Sequence, residues 1–556
     1  MTQESIPFRI RLGVTGHREL TSRSAIADRV RQVLAHHIFD LFDDPAGIRR
    51  RLEDPLNKTP VRFSILTPLA EGADRVVAEE VLATPDARLH VVLPMPIEEY
   101  EKSFTSADSL QEFEQLYASD SCPLVLNNSI LEDPLYAESP ELARQHAYLA
   151  VGEYVVDNSD VVLAVWDEKA ARGVGGTGDI VTIAKEHGCP VIIIPASGVD
   201  GIKVEKGDGL HLSSWQGLDA FNRFSFPADE QNSYNDKVFK KWFDEEMVQS
   251  MSTPLKQGIQ THLIPAYTRA SHLAKISQYQ YNHTGHAIFI LSPLVVLALA
   301  LGVQFPWLAP YAYGFEFFIL LAIILLLQFA ERKKVHQRWI EVRALAERIR
   351  AALFLIACQV RPKAMVAPPF QRIAIRSDDW IIRVYEEIIG RVGCVSAPRS
   401  DRYDIFWRFI QSKWLEDQIH FHLRKSARSG LRGRRLERWG ALVFGAGMLI
   451  AGWHLFRTLA SHTAVPALPE QLAAVLAFFL PAAGAALGSL RTHGEYSRLA
   501  KRSQAMSVAL SDILNRSRRH PEPASFEPLL REIESLMIEE SQDWMVLMKQ
   551  IKLAAG

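Results

Sequence analysis

The run HAIFILSPLVVLALALGVQF, from His286 to Phe305, carries no Asp, Glu, Lys or Arg. At about 1.5 Å of rise per residue a helix of this length matches a hydrocarbon layer of about 30 Å. A chain with such a segment is expected to lodge it in a bilayer. A second apolar run, Phe317 to Ala330, follows the PWLAPYAYG turn, with Glu316 at its edge, so the pair predicts a hairpin. Gly440 to Phe456 and Gln471 to Leu490 predict a second hairpin and bring the expected number of spans to four.

Flanking charge sets the orientation. Arg332, Lys333 and Lys334 follow the second run, a dense basic stretch from Arg424 to Arg438 precedes the third, and Arg491, Arg498, Lys501 and Arg502 follow the fourth. The two hairpin turns are almost free of Lys and Arg, with only Arg457 near a membrane edge. The positive-inside rule then predicts a multi-pass protein of the inner (cytoplasmic) membrane with both termini cytoplasmic. Met1 to Arg11 alternates polar and apolar residues and lacks the apolar core of a secretory signal. The net charge of −2 gives no basic field, so nucleic acid is not an expected partner. Cys122, Cys189, Cys358 and Cys394 are scattered without metal-ligand spacing and predict reduced thiols and no metal.

Small residues mark helix contacts. Gly484 and Gly488 form a GxxxG pattern after Pro481, and Ala441, Gly445, Gly447 and Ala451 line the third run. They predict close packing, either inside one chain or between copies of a homo-oligomer. Beyond the spans, Trp339, Val342, Leu345, Ala346, Ile349 and Leu353 recur at helical spacing, as do Tyr496, Leu499, Ala500, Met506 and Leu510. The fragments LAER (Leu345 to Arg348) and LAKR (Leu499 to Arg502) suggest an internal duplication. His420 and His422, two residues apart on a predicted helix, point in different directions and are read as structural.

The first two hundred residues read as alternating strands and helices. Strand Phe8 to Val14 runs into Gly13-Val14-Thr15-Gly16-His17-Arg18, with a helix beginning near Ser22 or Ser24. Strand Arg62 to Leu66 is followed by Leu69-Ala70-Glu71-Gly72-Ala73-Asp74-Arg75 and a helix through Leu82. Strand Leu89 to Leu93 leads toward Tyr100, which either stacks on a base or packs. Strand Asp160 to Val165 leads through Trp166 and Asp167 to Gly173-Val174-Gly175-Gly176-Thr177-Gly178-Asp179 and a helix, and strand Pro190 to Pro195 follows. Glycines ahead of a helix let backbone N–H groups approach phosphate, where the helix dipole favours negative charge. Every one of these loops falls at the carboxyl end of a predicted parallel strand, where open α/β sheets bind ligands.

The motifs GVTGHR, LAEGADR, LP.P..EY and VWDEKAARGVGGTGDIV resemble the SLOG superfamily, the Rossmann-like nucleotide-binding fold that includes DprA and LOG proteins. WLEDQIHFHLRKSA and RWIEVRALAERIRAAL beside the hairpins are similar to SLATT domains, two-helix membrane modules that accompany such sensors in prokaryotic conflict systems. The expected fold is an α/β Rossmann-like N-terminal domain with a parallel sheet, followed by an all-α membrane region of four transmembrane helices in two hairpins. The expected division is a nucleotide-binding domain over 1–200, a linker and pre-membrane helix over 201–280, and a first two-helix module over 281–360. A cytoplasmic helical region over 361–438 and a second two-helix module over 439–556 complete it.

The resemblance implies a sensor that binds a nucleotide or NAD-derived signal, requires no cofactor, and controls a membrane effector, such as a pore, in prokaryotic conflict or antiphage defence. Its expected ligand contacts are Gly13, Thr15, Gly16, His17, Arg18, Glu71, Gly72, Asp74, Arg75, Trp166, Gly175, Gly176 and Thr177, with an internal salt bridge as the alternative role for Arg18 and Arg75. LOG-type members are N-glycosidic hydrolases with a GGxGTxxE motif. Here Ile180 stands where that Glu belongs, which favours a sensor over an enzyme and leaves Glu71 and Asp179 as the carboxylates to test. A constitutive channel or transporter is a third reading; the spans offer it only His454, with His286 and Glu316 at their edges.

Overall fold

The computed structural model describes residues 5–120, 122–126, 139–170, 173–199, 201–224, 226–363, 379–393, 402–460, 468–519 and 522–549. The chain divides into two compact units, Met1–Glu230 with Lys363–Cys394, and Gln231–Pro362 with Val395–Gly556.

The first unit is built on a seven-stranded sheet: β1 (Phe8–Gly16), β2 (Val61–Thr67), β3 (Arg88–Leu93), β4 (Leu124–Val125), β5 (Val161–Trp166), β6 (Val191–Pro195) and β7 (Lys203–Glu205). Their order is β4-β3-β2-β1-β5-β6-β7, parallel except for the antiparallel edge strand β7. β1 is the pivot. Its residues Phe8 to Gly13 pair with Val61 to Leu66 on one side, and Leu12 to Gly16 pair with Val161 to Val165 on the other. Helices cover the sheet, so central strands are apolar on both faces; all of Val161 to Val165 is buried. The helices that concern the site are α1 (Arg23–Ala35), α2 (Pro45–Leu52), α3 (Ala73–Leu82), α4 (Ile97–Tyr100), α5 (Ala107–Tyr117), α6 (Pro140–Asn158), α7 (Thr177–Glu186) and α8 (Leu212–Asn222). Ser22 caps α1 by accepting the Ala25 N–H at 3.4 Å.

This unit runs past the expected limit of residue 200 and takes in the helix Trp380–Gly390 from the stretch expected to be separate. Buried ion pairs hold that helix to the sheet. Glu387 accepts from Arg9 and Arg88, each at 2.8 Å, and Arg383 pairs at 2.8 Å with Asp160, which also holds Arg11. Burial alone would raise the Asp160 carboxyl, but the Arg11 and Arg383 guanidinium groups outweigh it and hold it well below the usual carboxylate range. Among the described residues Cys122 departs from the expected reduced thiols and is disulfide-bonded, whereas Cys189 and Cys358 are free and buried.

The second unit is helical. The helices Ile264–Gln304, Ala309–Arg332, Glu416–Ala460 and Leu468–His493 contain the four apolar runs, and all four are long and apolar enough to cross a membrane. The first packs on the second, the third on the fourth, and the first on the fourth. Phe317, Phe318, Leu442, Leu449 and Phe478 remain exposed on these helices, an apolar surface of the kind that suits a lipid solvent.

Part of the glycine pattern serves contacts inside the chain. A Cβ on Gly447 would lie 2.6 Å from Pro481, and one on Gly484 would lie 3.0 Å from the Phe444 Cβ, whereas Gly445 and Gly488 face open space. The hairpins also repeat in form. Each follows a widened π-helical turn, Ile259–Leu263 or Ile410–Leu415. Each hairpin's second span ends at a left-handed residue, Lys334 with φ 46° or Glu495 with φ 45°, before the helix that carries LAER or LAKR.

Candidate functional site

β1 hands the chain to β2 on one side and borders β5 on the other, so the loops after β1 and β5 part at their carboxyl ends and leave a crevice. Its open volume is about 850 Å³. Thr15 and Gly16 from the end of β1, His17 and Arg18 from the loop after it, Asp74 from α3, Trp166 from β5, and Gly175, Gly176 and Thr177 from the glycine loop and the start of α7 all line it.

Two glycines are needed for backbone reasons. Gly72 has φ +85°, and a Cβ there would run into the carbonyl oxygens of His17 and Arg18, so the loops after β1 and β2 touch backbone to backbone. The Ala73 N–H donates to the His17 carbonyl at 3.1 Å and locks this approach. Gly175 has φ +79° and rests on the backbone of Leu149 in α6. The Asp179 carboxylate accepts the Gly175 N–H at 3.1 Å, and the Gly176 N–H donates to Gly173 at 3.1 Å. Asp179 therefore shapes the glycine loop. The first turn of α7 opens beside it; the Asp179 N–H donates to the Gly176 carbonyl at 3.0 Å, and the N–H groups of Thr177 and Gly178 precede the first intrahelical acceptors.

Charge in the crevice is arranged unevenly. His17 Nε2 lies 3.1 Å from the Asp167 carboxylate and 3.2 Å from its N–H. Hydrogen bonding from Lys169, with a smaller contribution from His17, lowers the Asp167 carboxyl to about 2. Arg18 is exposed and makes no hydrogen bond or ion pair among the described residues; its guanidinium stands 5.7 Å from the Tyr148 ring. Asp74 is buried, and its Oδ2 accepts from Thr67 Oγ1 at 3.0 Å and from the Ala70 N–H at 3.3 Å. Burial raises its carboxyl to about 7, against the smaller opposing pull of those bonds, Arg18 and Arg75. Tyr100 lies nearly enclosed against Phe104 and Phe113 and packs with them edge-on.

Four expected contacts sit elsewhere. Arg75 is buried at 1% exposure, donates to the carbonyls of Leu69 and Ser109, and pairs with Glu112 at 2.8 Å. Its role is the internal salt bridge that was the alternative. Glu71 accepts from Ser109 Oγ and from Thr105, outside the residues that line the crevice. Burial pushes the Glu71 carboxyl up, but these bonds outweigh it and keep it below its ordinary value. Gly13 is a packing glycine: a Cβ there would meet Ser159 and Val155 at 2.5 and 2.7 Å. Gly72 shapes the loop without lining the crevice.

α6, which none of the strand-end motifs includes, supplies Tyr148, Val151, Gly152 and Val155 to the crevice. A signal was present, since Ala143, Ala147, Val151 and Val155 recur every four residues and all are buried.

Together these features define a doubly wound α/β unit with a crevice at its switch point, in one chain with a helical unit that has four candidate membrane spans. No protein-family model matches the chain, and no curated protein matches it.

Proposed function

We propose that the protein is a membrane sensor and effector whose α/β unit binds a nucleotide or NAD-derived signal and controls the spanning helices. The observation that carries this reading is the uncompensated Arg18 guanidinium at the switch point, beside the glycine loop and the first turn of α7. A phosphate or diphosphate is the group such an arrangement attracts. Trp166 and Tyr148 offer ring surfaces for a base in the same crevice. The likeness of these loops to the SLOG superfamily, and the basic flanks that favour cytoplasmic termini in an inner membrane, support the same reading. An antiphage role and a homo-oligomeric pore belong to the proposal through that likeness.

The test is thermal melting of the full chain in detergent against nucleoside monophosphates, NAD, ADP-ribose and cyclic nucleotides. One of them should raise the melting temperature in the wild type and leave Arg18→Met unmoved. A shift of equal size in both proteins would remove Arg18 from the site.

Asp74 favours a second reading. A carboxyl poised near 7 in the crevice suits acid–base chemistry, as N-glycosidic cleavage of a nucleoside monophosphate requires. Release of free base on incubation with these compounds, abolished by Asp74→Asn, would favour the hydrolase.

A further inference from the structure

The helical unit holds a second enclosed site. The helices Val335–Ala357, Glu416–Ala460 and Pro523–Lys549 all contribute to a small cavity of about 20 Å³, enough for one compact occupant. His422 lines it at 4% exposure, and its Nδ1 has no hydrogen-bond partner. Gln418, also buried, spends its side-chain oxygen on Arg350 at 3.0 Å and keeps its amide donors.

Cations prevail around this cavity. Three arginines, Arg343, Arg348 and Arg350, line it against two carboxylates, Glu540 and the Glu347 that pairs with Arg350. Arg343 makes no ion pair among the described residues; its guanidinium lies 4.1 Å from the Trp544 ring. A buried ring nitrogen without a partner costs free energy; in the tautomer that carries its proton on Nδ1, His422 recovers that cost by donating to an anion in the cavity, and the arginines supply the attraction.

We infer that this cavity binds one small inorganic anion, received by His422, Gln418 and Arg343. The source is the aqueous phase. His422 lies on the same continuous helix as the third apolar run, about 27 Å before Gly440, beyond the reach of lipid head groups. An anion there bridges the helix after the first hairpin and the helix that enters the second, so it ties the two hairpins together.

Chloride is the probe. The full chain in detergent is melted while chloride replaces gluconate at constant ionic strength, with Arg343→Met and His422→Phe alongside. Wild type should gain about 3–6 °C over a hundred-fold rise in chloride, and each variant should lose most of that gain. If His422→Phe does not fold, the half-exposed Arg343→Met decides alone. Equal melting of the wild type in chloride and gluconate, or an undiminished gain in Arg343→Met, overturns the site.

Discussion

Replacing Asp74 with Asn tests the electrostatics of the crevice. Buried in the folded chain, the carboxyl titrates at about 7 instead of 3.8. Because its folded value is raised, the stability it confers is complete below pH 3.8 and is lost as pH rises toward 7, where the unfolded chain has ionised and the folded chain has not. At about 1.4 kcal/mol per pH unit the full loss amounts to roughly 4 kcal/mol. Asn keeps an oxygen for Thr67 and Ala70 and never ionises. Its stability gain over wild type should therefore grow by about 2–3 kcal/mol between pH 5 and pH 8, or about 5–10 °C in melting temperature. Paired melts of both full-length proteins by tryptophan fluorescence across that range read the difference directly. A difference that stays constant with pH would mean that Asp74 is already ionised in the fold, and the argument from burial would fail.

Three further outcomes follow from the same geometry. Arg18→Met should leave the fold intact, because Arg18 has no ion pair among the described residues, and should weaken binding of an anionic ligand by about ten- to hundred-fold in a calorimetric titration. Gly72→Ala should destabilise the α/β unit by about 1–3 kcal/mol, since its φ of +85° and the two carbonyls facing it resist a side chain; a melt unchanged from wild type would refute this. Arg383→Met strips one guanidinium from the buried Asp160 carboxylate and should cost about 3 kcal/mol in denaturant unfolding, with the loss shrinking at acid pH as that carboxylate protonates.

Strands, the strand-end loops and the four apolar runs were legible because each is a local pattern: buried β-branched residues, glycines ahead of helices, uncharged runs. Arg18 and Arg75 show where local reading stops. Both sit beside glycine motifs, yet one is exposed and unpaired while the other is buried by Ser109 and Glu112 of α5, more than thirty positions onward. The helix Trp380–Gly390 was illegible for the same reason. Its Arg383, Glu386 and Glu387 look like a solvent face until Arg9, 378 positions away, is seen to meet Glu387. The likeness of the two hairpins was faint in sequence because its firmest marks are backbone features, two π-helical turns and two left-handed joints, which many side chains can occupy.

In the function proposed above, a ligand in the crevice governs the candidate membrane helices. The direct measurement is dye release from liposomes that carry the full chain, with each nucleotide, NAD or ADP-ribose added on the side of the α/β unit. The account predicts release that depends on one of these ligands in the wild type and is absent in Arg18→Met. Release of equal extent without any ligand, or unchanged in Arg18→Met, would contradict it.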